Sequence, residues 1–315
     1  MSDYAIHLED VTKRFGDKQA LRGVTFTMRA GTVLGVLGPN GAGKTTTINV
    51  LSTLIRPTSG RATVAGFDVV RQAADVRKHI GLTGQYAAID AMLTGRENLI
   101  LFAELNGLSR AKARARADEL LSAFSLTDAA DRRVGTYSGG MRRRADIACG
   151  LVAAPAVVFL DEPTTGLDPR SRREVWDLVG SLTAAGTSVL LTTQYLEEAD
   201  ALSDSIVVID HGRVIAEGTA DELKHRVGAT VCQVTPVRPA DGPRIAAALA
   251  GIAGAAPDMK ADPDTGTLSL PAPDGLATLS EVFRRIETLD IEVADIALRK
   301  PSLDEVFFEL TGSPA

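Results

Sequence analysis

A glycine-rich stretch near the N-terminus constrains the fold of this chain more than any other feature. The segment TVLGVLG, residues 32–38, is short and apolar, as in a buried strand. It leads directly into GPNGAGKTT and then into KTTTINVLSTL, whose apolar residues recur with helical spacing. We therefore expect a strand, a tight loop and a helix, in that order.

The loop matches the pattern G-x-x-x-x-G-K-[ST], which in this strand-loop-helix context binds phosphate. Its glycines let backbone amides converge on phosphate groups, Lys44 reaches the β and γ phosphates, and the Thr45 hydroxyl binds Mg²⁺. The alternative is a glycine turn with no role in phosphate binding, in which the lysine is incidental. The predicted nucleotide-binding residues of the loop are Gly38, Pro39, Asn40, Gly41, Ala42, Gly43, Lys44, Thr45 and Thr46.

A second motif, VVFLDEP, is an apolar run that ends abruptly in two acids, Asp161 and Glu162. Carboxylates at the end of a core strand cost desolvation energy unless a cation or a chemical task awaits them. We expect Asp161 to hold Mg²⁺, directly or through water, and Glu162 to orient or polarise an attacking water. A solvated acidic turn is the alternative.

The segment SGGMRRRADIACG, residues 138–150, indicates the start of a helix that Ser138 can cap. Its two glycines allow another group to approach, and free amides with positive charge behind them attract an anion. The three arginines, 142–144, are expected to form a helix face, partly solvated and partly structural, rather than to bind phosphate directly.

The composition of the 315 residues, 45% hydrophobic and 23% charged, suits one large α/β domain and a smaller one. A net charge of −6 argues against a nucleic-acid binder that relies on bulk electrostatics. Cys149 and Cys232 are far apart and suggest neither a disulfide framework nor a zinc site. The sequence offers no targeting segment and no apolar run long enough to span a membrane, so we expect a soluble, cytoplasmic chain that reaches a membrane only through a partner.

The order of elements predicts two domains, residues 1–228 and 229–315. The first should combine antiparallel N-terminal strands, a helical insertion at about 90–153, and strands alternating with helices that form a mostly parallel sheet. The second should be a small α+β domain, ferredoxin-like in order. Its expected elements are a strand at 230–237, a helix at 243–252, a hairpin near DPDTG, a helix at 276–288, a strand at 291–298 and a helix at 302–310.

Two features between and after the nucleotide motifs carry a family resemblance. YSGGMRRR lies between them, and LDEPTTGLDP, residues 160–169, spans and follows the second. Over residues 4–225 this combination resembles the ATP-binding subunit of ABC transporters. The resemblance implies a head-to-tail homodimer with two ATP sites, in which the Ser-Gly-Gly helix faces the nucleotide bound by the second subunit. The implied signature residues are Ser138, Gly139, Gly140 and Met141, the last standing where glutamine is usual.

The resemblance also implies roles for three isolated residues. Phe15 matches the aromatic position that stacks on adenine, although it could be an ordinary half-buried strand residue. Gln85 matches the glutamine that links Mg²⁺ and water to the helical insertion, and a plain loop glutamine is the alternative. Asp168 matches a loop that contacts the opposite subunit, but it can equally cap the helix that Pro169 begins, and both roles can coexist.

Gln194 departs from the family pattern, because a histidine that contacts the γ-phosphate is usual there. An amide still donates a hydrogen bond but carries no titratable proton near neutrality, so slow turnover is expected. Gln194, the YSGGMRRR variant and the ending PSLDEVFFELTG together resemble the daunorubicin/doxorubicin-resistance type of bacterial drug exporter.

That type has a separate membrane-spanning subunit. The resemblance therefore implies a peripheral ATPase on the cytoplasmic face of the membrane, dependent on ATP and Mg²⁺, which powers efflux of a drug-like or hydrophobic natural product. Two other interpretations remain open. One is a soluble ABC-type module gated by ATP on ribosomes or DNA, and the other is a regulator that binds ATP but turns over slowly.

Overall fold

The computed structural model describes residues 3–84, 88–227, 230–250, 252, 259–262, 265–289, 291–300 and 302–311. The chain divides into two compact units, residues 1–220 and 221–314. The division falls at the start of a helix, Ala220–Val227, whereas the boundary expected from the sequence follows that helix.

The first unit has two sheets and a set of helices. Its strands are β1 (Tyr4–Phe15), β2 (Lys18–Arg29), β3 (Val33–Leu37), β4 (Ser59–Val64), β5 (Phe67–Asp68), β6 (Ile80–Thr83), β7 (Val157–Asp161), β8 (Ser188–Thr193), β9 (Ser205–Asp210) and β10 (Arg213–Gly218). Its helices are α1 (Lys44–Leu51), α2 (Ala73–His79), α3 (Gly95–Leu105), α4 (Arg110–Ala123), α5 (Gly139–Gly150), α6 (Pro169–Ala184) and α7 (Leu196–Leu202). Helix α8 (Ala220–Val227) spans the division.

The N-terminal strands form an antiparallel sheet in the order β2-β1-β4-β5. One face of this sheet is apolar, because alternate residues such as Ile6 and Leu8 of β1 and Phe26 of β2 are buried. They pack in one cluster with Leu34 of β3 and Phe159 of β7. This confirms the predicted antiparallel N-terminal strands.

The second sheet has the order β10-β9-β3-β8-β7-β6, and all its neighbouring pairs are parallel except β10 with β9. β3 and β7 are buried at every position, as expected for parallel strands covered on both faces. The register sets Leu37 opposite Thr193, and Asp161 opposite Thr192. The carboxyl ends of β3, β8 and β7 therefore lie side by side at one end of the sheet.

The predicted helical insertion corresponds to α3, α4 and α5, together with short 3-10 turns at Thr127–Ala129 and Val134–Thr136. α3 begins with a capping box, in which Thr94 and Glu97 each accept a backbone amide of the other. Apolar residues of these helices, among them Leu99 and Leu121, share a cluster with Val158 and Leu191 of the parallel sheet. The insertion is thus packed onto the sheet that carries the nucleotide motifs.

The second unit contains β11 (Val231–Pro236), α9 (Gly242–Leu249), β12 (Lys260–Ala261), β13 (Leu268–Pro271), α10 (Leu276–Glu287), β14 (Val293–Arg299) and α11 (Leu303–Thr311). Its antiparallel sheet has the order β12-β13-β11-β14. A β-α-β-β-α-β chain with this strand order is ferredoxin-like, as predicted. The helix expected to reach residue 252 ends at Leu249.

Both cysteines are buried, Cys149 in the first unit and Cys232 in the second, and neither is in a disulfide. Burial raises the pKa of both thiols, that of Cys232 to about 11. In the described ranges, no helix combines the length and apolarity that a membrane span requires.

Candidate nucleotide site

The glycine-rich loop lies where the sequence places it, between β3 and α1. Gly43 has φ +116°, and a Cβ there would lie 2.9 Å from Leu21 Cδ2 and 3.1 Å from the Ala20 carbonyl. Only glycine fits this left-handed, crowded position at the start of α1. The Lys44 ammonium donates to the carbonyl oxygens of Gly38, at 2.7 Å, and Pro39, at 3.3 Å. The lysine is therefore held inside the curve of its own loop.

A cleft of about 290 Å³ opens at this loop. Several predicted residues line it, including Phe15, which is 49% exposed and is therefore not a core residue. Lys18 and Ala20 also line it and were not predicted from the sequence. The full lining is Phe15, Lys18, Ala20, Pro39, Asn40, Gly41, Gly43, Lys44, Thr45, Thr46 and Glu162.

The two acids at the end of β7 have different surroundings. Asp161 is buried, and its Oδ1 accepts hydrogen bonds from the Thr192 hydroxyl at 2.5 Å and the Thr45 hydroxyl at 3.4 Å. Glu162 Oε1 lies 4.0 Å from Lys44 Nζ, in the cleft. Burial lowers the pKa of the Lys44 ammonium, and the negative charges of Glu162 and Asp161 oppose that shift.

Glu162 has a strained backbone, with φ +48°. A non-glycine residue is disfavoured in this left-handed region and stays there only when its surroundings fix it. The Glu162 amide donates to the carbonyl and the hydroxyl oxygen of Thr192, both at 3.1 Å. Thr192 thus contacts both acids, a role that sequence reasoning missed although two threonines precede Gln194.

Ser138 caps α5 as predicted, its hydroxyl accepting the Met141 amide at 3.2 Å. Gly140 is crowded, since a Cβ there would lie 2.4 Å from Ser171 Oγ on α6. Asp168 caps α6, accepting the amides of Arg170 and Ser171 at 3.1 and 3.0 Å and the Ser171 hydroxyl at 2.7 Å. These hydrogen bonds lower the pKa of Asp168, and the bond from the Ser171 hydroxyl has the largest effect.

Not every predicted site residue lines the cleft. Gly38 and Ala42 are buried residues of the loop, and Asp161 is hydrogen-bonded to the cleft residue Thr45. Gln194 directly follows β8 and is partly buried. Gln85 falls outside the described residues. Of the described residues that line the cleft, none belongs to the predicted signature group or to the α6 cap: Ser138, Gly139, Gly140, Met141 and Asp168.

The three arginines after the signature, predicted to form a partly solvated and partly structural helix face, have different surroundings. Arg142 is exposed, with one bond of 3.4 Å to the Gly135 carbonyl. Arg144 donates to the Phe124 carbonyl at 2.9 Å and pairs with Glu174 at 3.4 Å. Arg143 is buried and donates to the carbonyl of Pro163, the residue after Glu162, at 2.8 Å.

Comparison with known proteins agrees with this geometry. The family model "ABC transporter" matches residues 21–165, and the model "ATP-binding protein DrrA1-3-like, C-terminal domain" matches residues 218–311. The doxorubicin resistance ATP-binding protein DrrA of Mycobacterium tuberculosis is 56% identical over 314 residues, 99% of this chain and 95% of that protein. The chain belongs to the ABC transporter family, as an ATP-binding subunit.

Other relatives extend the comparison. The daunorubicin/doxorubicin resistance ATP-binding protein of Streptomyces peucetius is 49% identical, covering 99% of this chain and 93% of its own. The Nod factor export ATP-binding protein I of Burkholderia lata is 43% identical over 75% of this chain and 78% of its own. A solved dimeric ATP-binding cassette bound to ADP and phosphate has 26% identity and a TM-score of 0.62, covering 68% of this chain and 98% of that one.

These relationships make the chain the nucleotide-binding, ATP-hydrolysing subunit of an exporter. ATP-binding subunits of exporters pair with membrane permeases and dimerise.

Proposed function

We propose that this ABC subunit acts as a head-to-tail homodimer whose hydrolysis of Mg-ATP powers efflux of a drug-like or hydrophobic natural product through a separately encoded membrane subunit. The observation that carries the proposal is the division of the motifs within one chain. Lys44 and Glu162 line a single cleft, whereas Ser138 and the two glycines after it lie outside that lining. This separation supports a site that is completed by the signature residues of a second chain.

Within the cleft, the loop amides and Lys44 bind the phosphates of ATP, and the exposed Phe15 ring stacks on the adenine. Glu162 lies close enough to Lys44 for its carboxylate to face the same phosphate, where it orients the attacking water. Gln194 donates an amide hydrogen bond to the γ-phosphate.

Thr45 and Asp161 suit Mg²⁺, because they place a hydroxyl and a carboxylate oxygen 3.4 Å apart and both are hard oxygen ligands. The described part of the chain has no cluster of three or more His, Cys, Asp or Glu side chains that could hold a metal by itself. Mg²⁺ bound by one or two protein oxygens and by substrate phosphates fits such a site. When bound, it neutralises charge on the phosphates. The role of Gln85 as a further ligand stays a prediction.

In the dimer, the free amides at the start of α5 bind the γ-phosphate held by the partner subunit, and Asp168 contacts that subunit. If each ATP binds the closed pair about 100-fold better than the open one, it contributes about 2.7 kcal/mol to closure. Two molecules contribute about 5.4 kcal/mol, close to the roughly 5.5 kcal/mol that moves an equilibrium from 1:99 to 99:1. ATP alone is then sufficient to switch the dimer.

A complementation experiment tests the shared sites. A Lys44→Ala chain lacks a working loop, and a Ser138→Arg chain lacks a working signature. Homodimers of either variant contain no complete site, whereas a mixed dimer keeps one. A 1:1 mixture should therefore recover up to about a quarter of the wild-type rate, because half of the dimers are mixed and each has one of two sites. A mixture as inactive as its components would contradict the head-to-tail arrangement.

The role of Glu162 is tested separately. The Glu162→Gln chain should dimerise on addition of ATP yet release almost no phosphate, and size-exclusion chromatography with a phosphate assay measures both. The exposed Glu197 offers a matched control, since Glu197→Gln makes the same chemical change away from the cleft. Unchanged turnover in Glu162→Gln would refute the assignment.

The subunit is proposed to sit peripherally on the cytoplasmic face of the membrane. Resistance and export in the names of the relatives favour outward transport over the ribosome or DNA module. The slow-turnover regulator, suggested by Gln194, is tested by counting turnovers with and without the co-purified membrane subunit. A motor performs many turnovers, accelerated by its partner, whereas a regulator stops near one.

A further inference from the structure

Arg143 joins three separate segments of the first unit through one guanidinium group. It lies on α5, five positions after Ser138, and is buried. Its Nε donates to the Pro163 carbonyl at 2.8 Å, Nη2 to the Asp161 carbonyl at 3.1 Å, and Nη1 to the Gly84 carbonyl at 2.7 Å. The planar guanidinium holds its N–H groups in fixed directions, so it can donate to three carbonyls at once.

Two of these carbonyls belong to the residues on either side of Glu162. The bonds to Asp161 and Pro163 therefore fix the peptide groups around a residue with φ +48°. Thr192 holds the Glu162 amide from β8. Together Arg143 and Thr192 supply the surroundings that keep this strained turn in place.

Asp146, one helical turn further along α5, completes the arrangement. It is buried, its Oδ2 lies 3.6 Å from Arg143 Nη1, and its Oδ1 accepts the Ala88 amide at 2.8 Å. The pair thus holds Gly84 and Ala88, the described residues that flank 85–87. One helix face connects the signature, the end of β7 and the residues after β6.

We propose that Arg143 is a positioning residue for Glu162 and that it transmits movement of α5 to this carboxylate. The inference rests on the proposed function, in which the start of α5 binds the nucleotide of the partner subunit. A displacement of α5 by that nucleotide then moves the backbone around Glu162 in the same chain. Each site is coupled to the other through the chain that contributes to both.

The test compares Arg143→Gln with Arg142→Gln in the full chain. Arg142 is the adjacent, exposed arginine, so its substitution removes the same charge without touching the turn. We expect kcat of Arg143→Gln to fall about 10- to 100-fold, the usual effect of a misplacement near 1 Å. The Kd for ATP, measured by equilibrium titration, should stay within about twofold because Arg143 does not line the cleft. Arg143→Lys should recover part of kcat.

A double-mutant cycle separates positioning from general structural damage. In a Glu162→Gln background, Arg143→Gln should reduce the single-turnover rate by less than about twofold, because its effect acts through the missing carboxylate. An equal loss in both backgrounds would overturn the proposal, as would unchanged kcat in the single variant.

Removal of Arg143 alone leaves a buried carboxylate without its cation and could prevent folding. The double variant Arg143→Gln with Asp146→Asn removes both charges. The same measurements of kcat and of the double-mutant cycle are made with it, and the same results support or overturn the proposal. Failure of the complementation experiment would refute the dimer but leave the dependence of Glu162 on Arg143 intact. If Arg143→Gln has the same kcat as the wild type, only the present inference is refuted.

Discussion

The indole Nε1 of Trp176 on α6 donates a hydrogen bond to Oε1 of Glu198 on α7, at 3.1 Å. α6 begins at the Asp168 cap and α7 begins two residues after Gln194. Arg172 of α6 adds a second contact, because its guanidinium lies 4.5 Å from the centre of the ring of Tyr195, the residue before α7. Two segments with predicted roles at the nucleotide are therefore connected by side chains that are not among those lining the cleft.

Glu198 leads to a prediction about pH. Burial raises the pKa of this carboxyl, with hydrogen bonds and Arg172 opposing the shift. The folded state therefore binds the proton more tightly than the unfolded state, and this contribution to stability is lost as pH rises from the unfolded value through the folded one. The free energy of unfolding of Glu198→Gln, relative to wild type, should thus increase between pH 5 and pH 8. Denaturant titrations at both values measure it, and Glu197→Gln should show no such trend.

Lys44→Ala should reduce the rate of phosphate release by roughly 10²- to 10³-fold, the usual cost of removing a preorganised charged donor at a transferring phosphate. The buried ammonium also bonds two loop carbonyls, so ATP binding should weaken as well. Phosphate release and equilibrium ATP titration test the two effects. Lys18→Ala, at the rim of the same cleft, is the control and should change the rate by far less.

Thr192→Val removes a hydroxyl that donates to Asp161 and accepts from the Glu162 amide. Hydrogen bonds to charged groups contribute about 1.5–3 kcal/mol, so the Mg²⁺ concentration for half-maximal ATPase activity should rise about tenfold or more. Thr192→Ser keeps the hydroxyl and should stay close to wild type. A Mg²⁺ dependence identical in all three proteins would show that this hydroxyl does not support the metal site.

Gln194 predicts a flat pH profile. Because its amide does not titrate near neutrality, the steady-state rate should vary less than about twofold between pH 6 and 8. Gln194→His should introduce a dependence on a group near the reference histidine pKa of about 6.5. A wild-type profile that already follows such a group would contradict the assignment.

Gly140→Ala should destabilise the fold by about 1–3 kcal/mol, because its methyl group would meet Ser171 Oγ at 2.4 Å and Cβ at 2.7 Å. Gly139→Ala is the matched control, since its nearest new contact, Leu167 Cδ2 at 3.6 Å, is ordinary. Chemical denaturation of the two variants measures the difference. Equal stability would mean that α5 and α6 separate without cost.

The residues that sequence analysis identified share one property: their chemistry is local. About ten consecutive residues are enough to recognise each of three features: the glycine loop with Lys44, the apolar strand ending in Asp161, and the Ser138 cap. The strands β4 to β6 were not predicted, because two to six residues are too few for a clear period. The roles of Arg143 and Thr192 depend on partners 18 to 59 residues away, among them Asp161 and Gly84. No local pattern encodes such pairs, because the fold alone brings them together.

The burial of both native thiols has a practical value. Thiol reagents act on the exposed thiolate, and neither Cys149 nor Cys232 offers one. A fluorophore or spin label will therefore react at whichever exposed position an added cysteine occupies, with the natural pair left in place. The proposed opening and closing of the dimer can be followed by such labels in an otherwise unaltered protein.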